Sequence, residues 1–454
     1  MIYLARARQV LLAVALCVIV TVPASAEVTL LNDSGILEKI TVDSLAMMVV
    51  RSDSNILFSN DNAQFAESSM SLNFNLYMKN NVEARFGLLY SGTHGNDSWS
   101  SSAIGLDSSN KSDWMISEAQ LKFKDIFNSP VTVTVGKQLI EIEKQFLIND
   151  GDKSLDRGLW NNAERAFPFA ARIDVDLDAL DLTAFYAQVE TNRDEMAKFL
   201  YGDDLWYGGV NAHYTISDNY YVYGGLLTAQ NKDDSAYYAG AIDGPANNTF
   251  GGSTYAAYIG GDAVIGNLHL ESEIVKQFGT ARGEGQKSVD RDAWAGFAYA
   301  TYSFAETPWK PYLRVGGWYL SGDDPDTEEN ENFVPFSPGF VDFGRWCPGE
   351  ISGEFFLMGA SNFTTLNAEL SIQPQDWLQI RAQYFSNYFS EEDSYGLAND
   401  KFSDEIDLLV HFYPNDNMVL GVVGGVAKPG DGAEQLFGSD ETAYTVLTHL
   451  WYFF

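Results

Sequence analysis

From Met70 to Met78 the chain reads Met-Ser-Leu-Asn-Phe-Asn-Leu-Tyr-Met, apolar at every second position. Ser71, Asn73, Asn75 and Tyr77 fill the gaps. A pattern of period two gives a strand one apolar face, whereas a helix would scatter the same residues around its axis. The pattern recurs along the chain. Val82, Ala84, Phe86 and Leu88 alternate with Glu83 and Arg85; Ala119, Leu121 and Phe123 with Glu118, Gln120 and Lys122. Ile173, Val175 and Leu177 alternate with Arg172, Asp174, Asp176 and Asp178. Leu366, Ala368, Leu370 and Ile372 alternate with Asn367, Glu369 and Ser371. Ile406, Leu408, Val410 and Phe412 alternate with Glu405, Asp407 and His411. The chain is therefore all-β.

Two architectures use such strands. A soluble sandwich turns the apolar face inward, and a membrane barrel turns it to lipid and lines a lumen with the polar face. The segments are about ten residues long, enough for a tilted strand to cross the hydrocarbon. Large apolar residues for a second sandwich layer are lacking. Aromatic pairs, Trp206-Tyr207, Tyr220-Tyr221, Trp318-Tyr319 and Tyr384-Phe385, fall near strand ends, where interfacial girdles belong. These features predict a single transmembrane antiparallel β-barrel of about 16 to 18 strands, the even number usual for bacterial barrels. Polar stretches over 92–113, 230–252, 322–353 and 390–403 read as long extracellular loops. Ser217-Asp218-Asn219 and Pro414-Asn415-Asp416-Asn417 read as short periplasmic turns.

Both chain ends fit an outer-membrane destination. Arg6 and Arg8, the apolar run from Leu11 to Val22 and Ala24-Ser25-Ala26 compose a signal peptide over 1–26, with the barrel occupying 27–454. Cys17 falls in that leader, so Cys347 would be the only mature cysteine and no intrachain disulfide is expected. Tyr444, Val446, Leu450, Tyr452 and Phe454 share one parity. A last strand ending at Phe454 resembles the mark by which the barrel-assembly machinery recognises its clients. Outer-membrane lipid and lipopolysaccharide are the other expected partners; no nucleic acid and no cofactor are expected.

Removing the leader leaves 26 basic residues against 62 acidic, a net of −36. Much of the excess lies in loops, as at Asp323, Asp324, Asp326, Glu328, Glu329 and Glu331. Such carboxylates suit solvated loops, with divalent-cation binding as the alternative. On the lumen parity stand the basic residues Arg85, Lys122, Arg172, Arg314 and Arg381. The acids there are Glu83, Glu118, Asp174, Asp176, Asp178, Asp181, Glu271, Glu273, Glu369, Glu405 and Asp407. A lumen leaning acidic would favour cations or neutral solutes, because low-dielectric walls focus the field. The five histidines are scattered, and Asp407 and His411 stand roughly 13 Å apart along one strand. No nucleophile–base pair or metal set emerges, so an enzyme is not expected. A sleeve around a basic partner protein is a further alternative, although the haem motif Cys-x-x-Cys-His is absent.

Two stretches resemble the alginate-export family of outer-membrane barrels. The first runs through Val135-Gly136-Lys137-Gln138, Asp156-Arg157-Gly158-Leu159-Trp160-Asn161-Asn162 and Arg165-Ala166-Phe167 to Arg172. The second joins Tyr319-Leu320-Ser321-Gly322-Asp323-Asp324, Glu331-Asn332-Phe333-Val334-Pro335-Phe336 and Leu357-Met358-Gly359-Ala360-Ser361-Asn362. The resemblance implies 18 strands and a basic lumen through which an anionic polysaccharide leaves the periplasm, delivered by periplasmic export partners. It places Lys137, Arg157, Arg165 and Arg172 at the basic positions, with Arg314 and Arg381 as additions. Lys137 stands where the family has arginine and Pro168 where it has aspartate. The expected function is a passive conduit for a saccharide polymer or other hydrophilic cargo; the alternative is a general or cation-preferring diffusion porin. Tyr77 and Phe385 are candidate stacking platforms for sugar rings.

Overall fold

The computed structural model describes residues 28–34, 37–56, 58–59, 61–96, 112–148, 167–188, 205–231, 252–281, 287–334, 336, 349–353 and 361–453. Its strands are β1 (Val28–Ser34), β2 (Leu37–Ile56), β3 (Asp61–Met78), β4 (Val82–Asn96), β5 (Ser112–Phe123) and β6 (Val131–Gln138). There follow β7 (Phe167–Leu177), β8 (Leu180–Gln188), β9 (Leu205–Ser217), β10 (Tyr220–Asn231), β11 (Gly252–Ile265) and β12 (Leu268–Ala281). The last are β13 (Val289–Ser303), β14 (Tyr312–Leu320), β15 (Phe363–Gln375), β16 (Leu378–Tyr388), β17 (Lys401–Asn415), β18 (Met418–Pro429) and β19 (Ala443–Phe453). A short helix, α1 (Asp431–Phe437), follows β18.

Each strand from β2 onward pairs antiparallel with the next, and β19 returns to β2 from Leu45↔Phe453 to Ser54↔Tyr444. The result is a closed barrel of 18 strands, as the family resemblance implies. Closure leaves no unpaired sheet edge, which is what lets a β-sheet sit in hydrocarbon. The extra strand β1 pairs β2 from Val28↔Val42 to Ser34↔Leu37, prolonging the edge where β19 stops.

Connections differ at the two ends. Tight turns occupy 79–81, 178–179, 218–219, 266–267, 376–377 and 416–417. Asn80 and Asn81 take φ of 66° and 60°, the left-handed pair that a tight hairpin turn requires and asparagine tolerates. The opposite end carries the long connections, with one exception at 57–60, between β2 and β3. The turns expected at 217–219 and 414–417 are both present.

Alternation sorts the two faces as expected. On β17, Ile406 and Leu408 are 61% and 50% exposed on the outside, while Glu405 and Asp407 are fully buried inside. Outward aromatics form two belts. Tyr90–Trp114 and Tyr186–Trp206 lie near the long-loop end, and Tyr302–Phe304 and Trp377–Phe412 near the turn end. The four sequence pairs assigned to girdles are corrected by the same alternation. Only Trp206, Tyr220, Tyr319 and Tyr384 face outward; Tyr207, Tyr221, Trp318 and Phe385 are their inward neighbours. Adjacent strand residues cannot share a face. Asp178 is likewise not on a lumen row: it sits in the β7–β8 turn with φ 60°.

Candidate functional site

Part of the interior is packed rather than wet. After β6 the chain enters the barrel, and Ile140, Ile142, Phe146, Leu147 and Ile148 are each at most 4% exposed. The connection after β14 does the same with Phe333, Val334 and Phe336. The Phe336 N–H donates to the Leu147 carbonyl at 3.2 Å, joining the two segments. Phe146 stands edge-on to Phe297 at 5.2 Å, and Phe336 stacks on Tyr207 at 5.9 Å. This explains why β9 to β15 carry apolar residues on both faces, a second apolar layer that alternation alone did not show. Gln277 clamps the entry: its Nε2 donates to the Val334 carbonyl at 2.6 Å and its Oε1 accepts the Val334 N–H at 3.0 Å.

Charge fixes the first segment to the wall. The Lys144 ammonium pairs with Asp262, lies 3.5 Å from Glu271 and stands over the Tyr221 ring. Burial alone would lower the Lys144 pKa, but hydrogen bonds to Asp262 and Tyr221 carry it above the usual lysine value. Glu143 binds Asn211 and faces Nδ1 of His213 at 3.0 Å. Arg314 reaches Glu271 at 3.1 Å and covers the Tyr299 ring. Among the described residues, Asp262, His269 and Glu271 are the one group with metal-ligand spacing. Lys144 and Arg314 already neutralise those carboxylates, so the donor set does not fit a metal ion.

A third inward piece, 349–353, docks by its backbone. The Glu350 N–H donates to Asp407 at 2.9 Å, and the N–H groups of Ile351 and Ser352 donate to Glu405 at 2.7 and 2.8 Å. Arg51 holds the assembly from β2: its Nε is 2.8 Å from both Asp53 oxygens, and its Nη2 donates to the Glu350 carbonyl at 2.9 Å. Burial pushes the Glu350 carboxyl up to about 7, against the opposing pull of Arg51.

What stays polar and half-open is the turn-end part of the interior, from β16 through β2 to β7. Arg85, expected in the lumen, faces it and bonds Glu118 at 3.1 Å. Lys122 shares that face beside Glu83, its register partner. Arg172 pairs with Asp174 at 2.8 Å, and Thr183 also donates to Asp174. Asp176 accepts the Asp178 N–H in the turn. Arg381 faces the interior of β16 opposite Leu409. Asp407 is inward but lies under the 349–353 segment rather than in the open path. Lys137 stands opposite Ala119 in the row series of Val133 and Val135, on the outward register. Arg157, Arg165 and Phe454 lie outside the described residues.

Sequence reading missed the inward segments and their anchors Glu143, Lys144 and Glu350. The signal was the run Leu139-Ile140-Glu141-Ile142, too apolar for a solvated loop. It also left the histidines scattered, whereas barrel register brings the rings of His411 and His449 to 5.1 Å.

Known barrels share this architecture. The BenF-like porin of Pseudomonas fluorescens Pf-5 superposes with TM-score 0.59 at 12% identity, covering 92% of this chain and 100% of that one. OccK11 (OpdR) of Pseudomonas aeruginosa gives 0.54 at 12% identity, over 93% and 98%. OccK2 (OpdF) of Pseudomonas aeruginosa, solved in complex with glucuronate, gives 0.54 at 10% identity, over 92% and 100%. Identities this low speak for the fold alone. No curated protein matches the sequence. The alginate-export family profile, in contrast, matches residues 58–433. The chain is an outer-membrane channel barrel and belongs to the alginate-export family.

Proposed function

We propose that this barrel is a passive conduit for a hydrophilic saccharide, with an acidic polysaccharide as the favoured cargo. The observation that carries the reading is the lining of the open path. Asn73 and Asn75 on β3 both reach Asp43 at 2.7 and 2.8 Å, beside Ser69, Ser71 and Thr41. Gln379, Arg381 and Gln383 continue it on β16. Amides, hydroxyls and a guanidinium can exchange hydrogen bonds with a polyhydroxylated cargo in place of water. Delivery of a polymer to the turn end would call for periplasmic partners.

A cation-preferring diffusion porin is the second reading, favoured by one observation. Arg51, Arg85, Arg172 and Arg314 are each matched to a carboxylate, so their charge is largely cancelled within the wall. Ion selectivity of the purified, refolded protein in a planar bilayer separates the two. Anion selectivity with block by added polyuronate supports the saccharide conduit. Cation selectivity without block would sink it and leave the porin.

A further inference from the structure

We infer that Arg381, His411 and His449 form a proton-linked site for a sugar carboxylate inside the lumen. The inference rests on the saccharide reading and adds a residue-level site with a pH dependence of its own. Register builds it: Gln379 pairs with His411, His411 with Gly421 and Gly421 with His449, one lateral row across four strands. The row closes up because Gly421 has no side chain; a Cβ there would collide with Cε1 and Nε2 of His449. The two imidazoles therefore meet across β18 at 5.1 Å. Arg381, two residues along β16 from Gln379, shares their inward face.

These groups are left without acceptors. Arg51, Arg85, Arg172 and Arg314 each have a carboxylate partner, and Arg291 donates to the Asn332 carbonyl. Arg381 makes no hydrogen bond or ion pair with any described residue, and its Nε is buried without a partner. His449 is 7% exposed, and neither of its ring nitrogens has a partner. Buried donors lacking acceptors are uncommon in proteins and are satisfied by what binds there. A carboxylate suits the guanidinium because its two oxygens match the fork of N–H groups. Beside it, Trp451 stacks on His449 at 4.7 Å and is half-buried on the lumen side. That flat face suits the C–H face of a pyranose ring.

The other charged groups facing the site are engaged elsewhere: on β15, beside Ser371 opposite Arg381, the buried Glu369 accepts hydrogen bonds from Tyr312 and Gln383. Toward the long-loop end stand Asp407, which accepts the Glu350 N–H, with Glu350 and Arg51 beyond it. Across β2, beyond Val49, Glu67 is itself engaged. The Tyr413 hydroxyl donates to Gln379 at 3.0 Å. A carboxylate bound at Arg381 brings a negative charge beside the two buried imidazoles, so it favours their protonation and a proton enters from bulk water with the anion. Binding then tightens as pH falls, by up to about tenfold per pH unit for each proton taken up.

The test uses the full-length refolded channel in planar bilayers, with glucuronate, glucose or acetate added to one side at pH 7.5 and 5.5. The half-blocking concentration of glucuronate should fall at least about tenfold between the two pH values. Glucose should not block, and acetate should block at least tenfold more weakly. H411Q/H449Q should abolish the pH difference, and R381Q should weaken block at pH 5.5 by at least tenfold; conductance in KCl reports that each variant has folded. Block by glucuronate that survives R381Q unchanged, or keeps its pH difference in H411Q/H449Q, overturns the site while leaving the saccharide conduit standing. Equal block by acetate overturns the sugar specificity. Insensitivity of the wild type to glucuronate and to polyuronate at both pH values overturns site and conduit together.

Discussion

Replacing Arg51 with methionine should release the 349–353 segment from the barrel wall. Arg51 is 1% exposed and supplies the counter-charge for Asp53, while its Nη2 holds the Glu350 carbonyl at 2.9 Å. Methionine fills a similar volume but leaves Asp53 buried near Glu350, Glu405 and Asp407 with that cation gone. Removing one partner of a buried ion pair costs about 3–5 kcal/mol. Undocking hydrates the carboxylates that the segment covers, so the strain is relieved by opening it. At about 3 kcal/mol the docked-to-open ratio moves by roughly 150-fold. The assay is thiol labelling of Ser352→Cys, with Cys347 replaced by serine, using a membrane-impermeant reagent. Arg51→Met should raise the labelling rate by about 100-fold and increase single-channel conductance. An unchanged rate in a correctly folded barrel would refute the claim that Arg51 holds this segment down.

Protonation should act on the same segment with a definite sign. The docked Glu350 carboxyl titrates at about 7, above its ordinary value of 4.5, so docking is strongest below about 4.5 and weakens as pH rises through 7; labelling of Ser352→Cys, divided by the rate of the urea-unfolded chain at the same pH to remove the thiol's own ionisation, should be slower at pH 5 than at pH 8. Gln277→Leu removes both hydrogen bonds to Val334 and leaves its buried N–H and C=O unpaired, about 2–4 kcal/mol, read as faster proteolysis within 321–362. Lys144→Met leaves Asp262 and Glu271 short of one cation, and should shift bilayer selectivity toward cations while raising conductance. Leu408→Lys puts an ammonium on the outward face midway along β17 and should cost about 2–4 kcal/mol in refolding titrations into lipid.

Much of the wall was legible because outward residues answer to a single rule. Every second residue from Met70 to Met78 meets hydrocarbon, and nothing in the folded barrel alters that requirement. Asn415-Asp416-Asn417 and Ser217-Asp218-Asn219 announced their turns through residues that turns need. The inward face obeys no such rule. Phe297, Tyr299 and Trp318 are inward yet apolar and buried, and Phe146, itself stacked on Phe333, packs on Phe297. Whether an inward residue is polar depends on what covers it, and the cover comes from a connection that can begin over a hundred residues away. Lys144 and Asp262 stand 118 positions apart. The meeting of His411 and His449 required the register of three strands and the absence of a side chain at Gly421.

The same dependence decides how the chain's large negative charge bears on transport. Carboxylates such as Asp323, Asp324 and Glu331 lie in the loop after β14, where their local partners are backbone N–H groups. Charges in solvated loops are screened over about 8–10 Å at physiological salt. Inside, Arg51, Arg85, Arg172 and Arg314 are each matched to an acid, so neither member of a pair projects its full field into the path. An unmatched inward charge then counts for more than the overall excess, and Arg381 has that position. A net charge of −34 therefore sets the field that a cargo meets outside the barrel, while inward groups without an ion pair, Arg381 on β16 among them, weigh on the field it meets within.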